Sequence, residues 1–485
     1  MRRALLAVLA IAGVAHANGR PSATSTINFK PGDPNEIAAG LTFGLVLSHD
    51  AGRTWHWMCE KAVGYGGLWD PDYAYTAGGA LFATTFDGLK VMRDGCVFAS
   101  APSGNTFVSQ VEVAPGGDIF YAASDPHDGN IYRSIDDGVT FTSSTAPGRP
   151  DDWWQSLRFS TANPQRVYLA GYRFQSHCLR GTVGAGDDCI TNADCPRIDP
   201  TEVPSPATCG DARKVLLLAR SDDGGATFTP ELKIGLPEPT SKSELTIVGV
   251  DASNPDIVYA KLRDDAIDTF FVSKDGALTW TQIEQEHEAA AFVARANGEI
   301  VVATKLSGSR HSLDHGGTWT ELANPPHIGC LTEDAAGTVW ACTQNYDQAM
   351  AMGYPAIPAD GYGIMTTKDL VTWTGVMRYQ DIADAVSCPA GTAQHDQCVE
   401  KDDGMPSVWC CLAMQMGITN AGADCSGRLA CVPAAQTDDT PPTRDVIHAP
   451  PPPHGGGCCD AQGAGSSSTG LLGLSILVVL RRRRR

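Results

Sequence analysis

The chain is short of positive charge. Its 485 residues include 36 Lys and Arg against 55 Asp and Glu, a formal net charge of −19. Leaving out Arg2, Arg3 and Arg481 to Arg485 gives 29 basic residues, and leaving out Asp460 gives 54 acidic ones, so the body of the chain carries about −25. Such a surface repels nucleic acid phosphates and anionic lipid headgroups, which excludes nucleic acid as a partner. Neutral sugars, cationic ligands, divalent ions and other proteins stay open. Short C-x2-C hooks are missing as well. The 16 cysteines fall in runs such as C-x10-C-x5-C-x13-C from Cys178 and C-x9-C-x11-CC-x13-C-x5-C from Cys388, unlike zinc sites. No metal or other cofactor is expected. Nor is the first apolar run, Ala4 to Val14, long enough to cross a bilayer.

What stands at the two ends points to export. Arg2 and Arg3 precede that run, and Ala15-His16-Ala17 closes it with small residues, so residues 1–17 read as a signal peptide cut after Ala17. An oxidising destination makes disulfides the expected use of the cysteines. At the other end, residues 381–432 form a Cys-rich disulfide segment, and the Pro- and Gly-rich residues 433–457 read as a disordered linker. Residues 458–485 hold Cys458-Cys459, a Gly/Ser stretch, an apolar run from Leu471 to Leu480 and five arginines. This order is similar to the MYXO-CTERM sorting tail. The resemblance implies a short hydrophobic helix, a sorting protease acting near Cys458 or Cys459, and retention at a bacterial cell surface or outer membrane. A plain C-terminal membrane anchor is the other reading. Either way the membrane is met through the tail alone, with the arginines on the cytoplasmic side.

Repetition dominates the middle. The pattern S-x-D-x-G-x-T-[W/F] occurs at Ser48, Ser134, Ser221 and Ser312, and near-copies start at Ser273 and Thr367. Their acidic residues are Asp50, Asp136, Asp223, Asp275, Asp314 and Asp369. A worn copy, Met92-Arg93-Asp94-Gly95, falls where the spacing demands one. The residue types suit a turn between strands: the carboxylate accepts turn amides, Gly permits positive φ, and Thr-Trp starts the returning strand. The motif resembles the Asp-box, or BNR, repeat. That resemblance implies a β-propeller whose boxes join the two outer strands of each blade, with structural rather than catalytic Asp residues.

Before each box lies a strand, a turn and an apolar strand, as in "FSTANPQRVYLAG" from Phe159 and "VDASNPDIVYAK" from Val250. Such short β-branched and aromatic runs bounded by turn residues read as strands. Seven such units give an all-β fold, a seven-bladed β-propeller of four-stranded antiparallel blades over residues 25–380. Two intervals between boxes are overlong. The excess lies at about 172–212, with four cysteines, and at 344–361, each between the second and third strands of its unit. Both insertions therefore crowd the face opposite the boxes, where long loops on a rigid scaffold would carry binding residues.

Candidates on that face are Trp153 and Trp154, as a stacking platform, and Tyr346, Tyr354 and Tyr362 of the second insertion. Asp125, His127 and Asp128, with Asp264, Asp265 and Asp268, offer oxygen-rich clusters for a cation, although solvated acidic turns are the simpler reading. Cys330 and Cys342 lie equally far from a hairpin turn at Ala336, which sets them opposite one another within disulfide reach.

Asp boxes also occur in sialidases, but the arginine triad of that family is not recognisable here, and its start motif has one lookalike, Pro196-Arg197-Ile198-Asp199-Pro200, inside the Cys-rich insertion. Xyloglucan-degrading Asp-box enzymes pair two propellers, where this chain has one. The chain is closer in plan to sortilin-type propellers and to photosystem II assembly factors. The expectation is a cell-surface or secreted binding protein, not an enzyme, that offers one propeller face to a glycan, peptide or partner protein. A secreted glycoside hydrolase with an unrecognised acid pair and a purely structural surface protein are the alternatives.

Overall fold

The computed structural model describes residues 21–425 apart from 67–69, 103–106, 116, 118, 124–128, 145–147, 150–151, 181, 197–207, 230–235, 307, 350–355, 401–405 and 420–424. The signal peptide, the linker, and the tail with Cys458 and Cys459 lie outside the described residues, as do Tyr354, Asp125, His127 and Asp128.

The chain is an all-β propeller. In several sheets the second and third strands carry β-branched and aliphatic runs buried on both faces, as in Ile37–Leu41 with Leu45–Leu47 or Val258–Ala260 with Phe270–Val272. Such two-sided burial needs neighbours on both sides, which radial stacking supplies. The innermost strands, Thr24–Lys30, Tyr73–Tyr75, Val108–Val113, Trp153–Phe159, Glu244–Val250, Ala289–Ala294 and Cys330–Glu333, touch one another in chain order, and the last touches the first.

The expectation of uniform four-stranded blades is corrected. Six sheets have four strands, but the first has five, because Asp384–Ala385 adds in parallel to His56–Met58. One of the six departs from plan too. Its fourth member is the two-residue strand Asp188–Cys189, which belongs to the first insertion and pairs with Ser176 and His177. The described part of that insertion is ordered by pairing: Val167–Cys178 and Cys209–Ser221 pair beyond the sheet, stapled by Cys178–Cys195 and Cys189–Cys209. At its root Arg173 and Asp152, 6% and 0% exposed, form a 2.7 Å ion pair.

Polar side chains lace the ring together. Asp72 accepts the Val111 amide at 3.3 Å, Gln110 that of Leu157 at 2.7 Å, Ser156 that of Ile247 at 2.8 Å, and Asp268 that of Ala289 at 2.7 Å. Each bond crosses from one sheet to the next.

The repeated turns owe their shape to one hydrogen-bond pattern. In the turn from Ser48 the Ser48 hydroxyl donates to Asp50 at 2.9 Å, the Thr54 amide donates to Asp50 Oδ1 at 2.9 Å, and the Thr54 hydroxyl donates to Oδ2 at 2.8 Å. The turns from Ser134, Ser221, Ser273 and Ser312 repeat it. Two successive left-handed residues follow the Asp, such as Ala51 and Gly52 at φ 60° and 83°, which is why a glycine recurs there. The shorter turn from Thr367 keeps the amide bonds to Asp369, from Val371 and Thr372. In the worn copy Asp94 accepts the Cys96 and Val97 amides, and Cys96 is bonded to Cys388.

The segment after the last sheet returns to the start of the chain. Cys388 and Cys398 are bonded to Cys96 and Cys59, Trp409 stacks on Trp57 with ring centroids 5.5 Å apart, and a third bridge joins Cys410 to Cys425. Cys330 and Cys342 are joined across their hairpin, as paired residues of one ladder.

Candidate functional site

The inner strands all begin at one end of the propeller, and there they enclose a cavity of about 320 Å³. Ser25, Thr26, Ser109, Gln155, Glu244 and Ala289, each from the first turn of an inner strand, line it, with Asp72 just ahead of another. This is also the end at which second strands pass to third strands, since Glu244 pairs with Arg263 and Arg263 with Asp268. The cavity thus opens on the face that carries both insertions. The Cys-rich hairpin rises from one side of the ring. On the other, the returning C-terminal segment packs over the second insertion, where the Tyr346 hydroxyl donates to the Met416 carbonyl at 2.7 Å.

Two groups of charged residues lie at the cavity. In one, Arg158 and Asp72 line the cavity; Arg158 holds Glu112 at 2.9 Å, with side-chain exposures of 34% and 27%, and Asp72 lies within reach of both charges. Enclosure in the narrow channel pushes the Asp72 carboxyl up to about 6, against the pull of Arg158 and with a push from Glu112. Burial raises Glu112 as well, opposed by Arg158. In the other, Lys261 and Arg263 line the cavity and lie 3.7 and 3.6 Å from the fully buried Asp268. Among the lining residues, Ser25 Oγ, Thr26 Oγ1, Gln155 Oε1 and Arg263 Nε are buried without a hydrogen-bond partner among the described residues. Buried polar atoms are ordinarily satisfied, so this set marks the cavity as a place for a polar occupant, water or ligand.

The residues expected from sequence fare unevenly. Trp154 is wholly buried between two sheets, its indole N–H donating to the Gly129 carbonyl at 2.9 Å, so it offers no platform. Period-two alternation turns its neighbour Trp153 the other way, where its half-buried ring stacks on Tyr172 at 6.1 Å and an interplanar angle of 2°. Tyr346 is spent on holding the C-terminal segment and on an edge contact with Tyr379. Tyr362 is half-buried, with its backbone carbonyl accepting from Thr343 and its ring beside Gly375. Asp264, Asp265 and Asp268 do not converge: Asp264 accepts the Thr240 hydroxyl, Asp265 pairs with Lys242, and Asp268 turns inward to the Ala289 amide. Sequence reading missed Asp72, Glu112, Arg158, Lys261 and Arg263. For the four that lie in strands the one signal is a charge beside apolar strand residues, as in "VEV" and "LRF"; Asp72, just ahead of its strand, leaves none.

No family model matches the chain, and neither does any curated protein. Several solved structures are similar to parts of the chain. Among them are an ancestral GH74 enzyme (14% identity, 74% of this chain and 55% of that one, TM-score 0.44) and YCF48 from Cyanidioschyzon merolae (11%, 67% and 94%, TM-score 0.41). A further one is the outer coat vertex of COPII on membranes (12%, 73% and 91%, TM-score 0.42). The chain spans about half the length of the GH74 enzyme.

Proposed function

We propose that the protein is an exported binding protein that admits the end of a neutral, hydroxyl-rich ligand, best matched by a saccharide, into the polar mouth of its propeller. The observation that carries this is the set of donors and acceptors with no hydrogen-bond partner among the described residues, on Ser25, Thr26, Gln155 and Arg263, around a cavity of about 320 Å³. A sugar hydroxyl donates and accepts, so it suits a lining that offers both. That volume is at the low end of the ~300–1,000 Å³ of small-molecule sites, which fits a chain end rather than a whole polymer. The overall negative charge disfavours polyanions. A glycan array on the purified full chain, followed by calorimetry, tests this. Thr26→Val and Gln155→Leu should each weaken the captured ligand by roughly tenfold, the worth of one hydrogen bond. No glycan bound, or full affinity in both variants, would overturn the proposal; a peptide as the bound species would replace its ligand class.

One observation favours a second reading, hydrolysis. A glycoside hydrolase needs a carboxylic acid that stays protonated near neutrality beside a second carboxylate, and Asp72, pushed up to about 6, sits near Glu112. Release of product from the bound saccharide, abolished by Asp72→Asn, would establish it. The repeated S-x-D-x-G-x-T turns support kinship with the Asp-box repeat. The two chain ends support export and surface retention by a sorting tail: processing should fail when Cys458 and Cys459 are both Ala, and processed protein still found at the surface would defeat this part.

A further inference from the structure

Beside the cavity mouth, at the root of the Cys-rich hairpin, four side chains share one side of the extended sheet. Trp153 pairs with Tyr172 and Lys214 with Phe174 in the strand register, and Tyr172 and Phe174 are two residues apart. Their rings form a ladder, Trp153 parallel to Tyr172 and Phe174 edge-on to it at 5.7 Å. Tyr172 is 3% exposed and Lys214 9%, while Phe174 turns 40% of its surface outward.

Lys214 is the unusual member. Its ammonium lies 3.9 Å from the Tyr172 ring centroid and 6.0 Å from that of Phe174. No carboxylate among the described residues comes within ion-pair distance of it; Glu244, at the cavity rim, acts on it only through space. Aromatic faces repay part of the desolvation of a cation but do not neutralise it. A lysine so nearly buried is ordinarily paired. The buried cation Arg173 of the same sheet obeys that rule, paired with Asp152. Lys214 has its stem fixed in an aromatic wall and its charge uncompensated, next to an exposed ring.

We propose that this ledge is a subsite for a ligand in which a single carboxylate is attached directly to a ring, the carboxylate meeting Lys214 and the ring lying on Phe174. This rests on the reading of the insertion face as the ligand face, but not on the cavity's occupant. Two sources share the chemistry, a uronate sugar and an aromatic acid. The strongly negative chain argues for one acidic group rather than a polyanion.

Ligand-observed NMR titration of the full chain with glucuronate and benzoate, each against its neutral counterpart (methyl glucoside, benzyl alcohol), tests it. At least one acid should bind roughly tenfold or more tightly than its counterpart, as charge-assisted bonds allow. Which acid wins assigns the source. Lys214→Met should erase that preference and Lys214→Arg retain it. Phe174→Ala, at an exposed position, should weaken acid and neutral probe alike without threatening the fold. Acids binding no better than their neutral counterparts, or an acid preference that survives Lys214→Met, would overturn the proposal. Glycan capture at the cavity is scored separately in Lys214→Met, so failure of one reading is distinguishable from failure of the other.

Discussion

The returning C-terminal segment makes a quantitative prediction. Cys59–Cys398 and Cys96–Cys388 close loops of 339 and 292 residues around the whole propeller. The bridges are nested, so with either in place the other closes an effective loop of only about 47 residues, the difference between the two separations. The chain-entropy relation gives about 4 kcal/mol for such a loop at 25 °C, and about 5.7 kcal/mol for the 292-residue loop once its partner is gone. Removing one bridge, as Cys59→Ser with Cys398→Ser, should therefore cost about 4 kcal/mol, and removing both nearly 10. The double loss should exceed the sum of the two single losses by about 1.6 kcal/mol, the cost of first opening the ring. Urea unfolding of the full chain and the three variants, followed by tryptophan fluorescence, measures this. If the double loss merely equals a single one, the segment is held by the Trp409–Trp57 stack and the parallel strand rather than by its bridges, and the entropic argument fails.

Other predictions follow from the same contacts. Asp152→Ala should cost roughly 3–5 kcal/mol by stranding Arg173, and should make the first insertion the earliest site of proteolysis. Gln110→Leu leaves the Leu157 amide without its acceptor and should cost roughly 1–3 kcal/mol in thermal or urea unfolding. Amide bonds from Thr54 and Thr372 and the Thr140 hydroxyl hold the carboxyls of Asp50, Asp369 and Asp136 down to about 2. Their folded values lie below the unfolded one, so this stability is present above pH ~4 and is lost as pH falls toward 2. Acid titration followed by near-UV circular dichroism should show it, and a triple Asn variant should flatten that limb. Asp72 has the opposite sign: raised to about 6, it makes stability fall as pH rises from ~4 to 6, and Asp72→Asn should remove that fall.

How far the sequence could be read depended on how far each interaction reaches. The box turns were legible because Ser48, Asp50 and Thr54 satisfy one another within seven residues. The insertions were legible because spacing between such turns counts residues and nothing else. Partners 339 residues apart leave no local trace, so neither the bridge from Cys59 to Cys398 nor the added parallel strand could be foreseen. Trp153 and Trp154 show an intermediate case. Alternation says that the two rings part company, but which one lies between sheets depends on the neighbour that Trp154 meets. The cavity charges were hidden for a related reason. An Arg158 or a Lys261 in a strand reads as a solvent face until ring closure makes that face the wall of a cavity.

The bonds that cross from sheet to sheet set a limit on how this binding mouth can change. Asp72, Gln110, Ser156 and Asp268 each set the separation of two neighbouring sheets as well as the chemistry at or beside the cavity. A substitution at any of them alters the bore of the channel along with its polarity. Thr26, Gln155 and Arg263 reach the same space with no such duty. A lineage shifting its preference, or an engineer retargeting the protein, is left with those positions as the adjustable ones, while the others act as fixed gauge blocks.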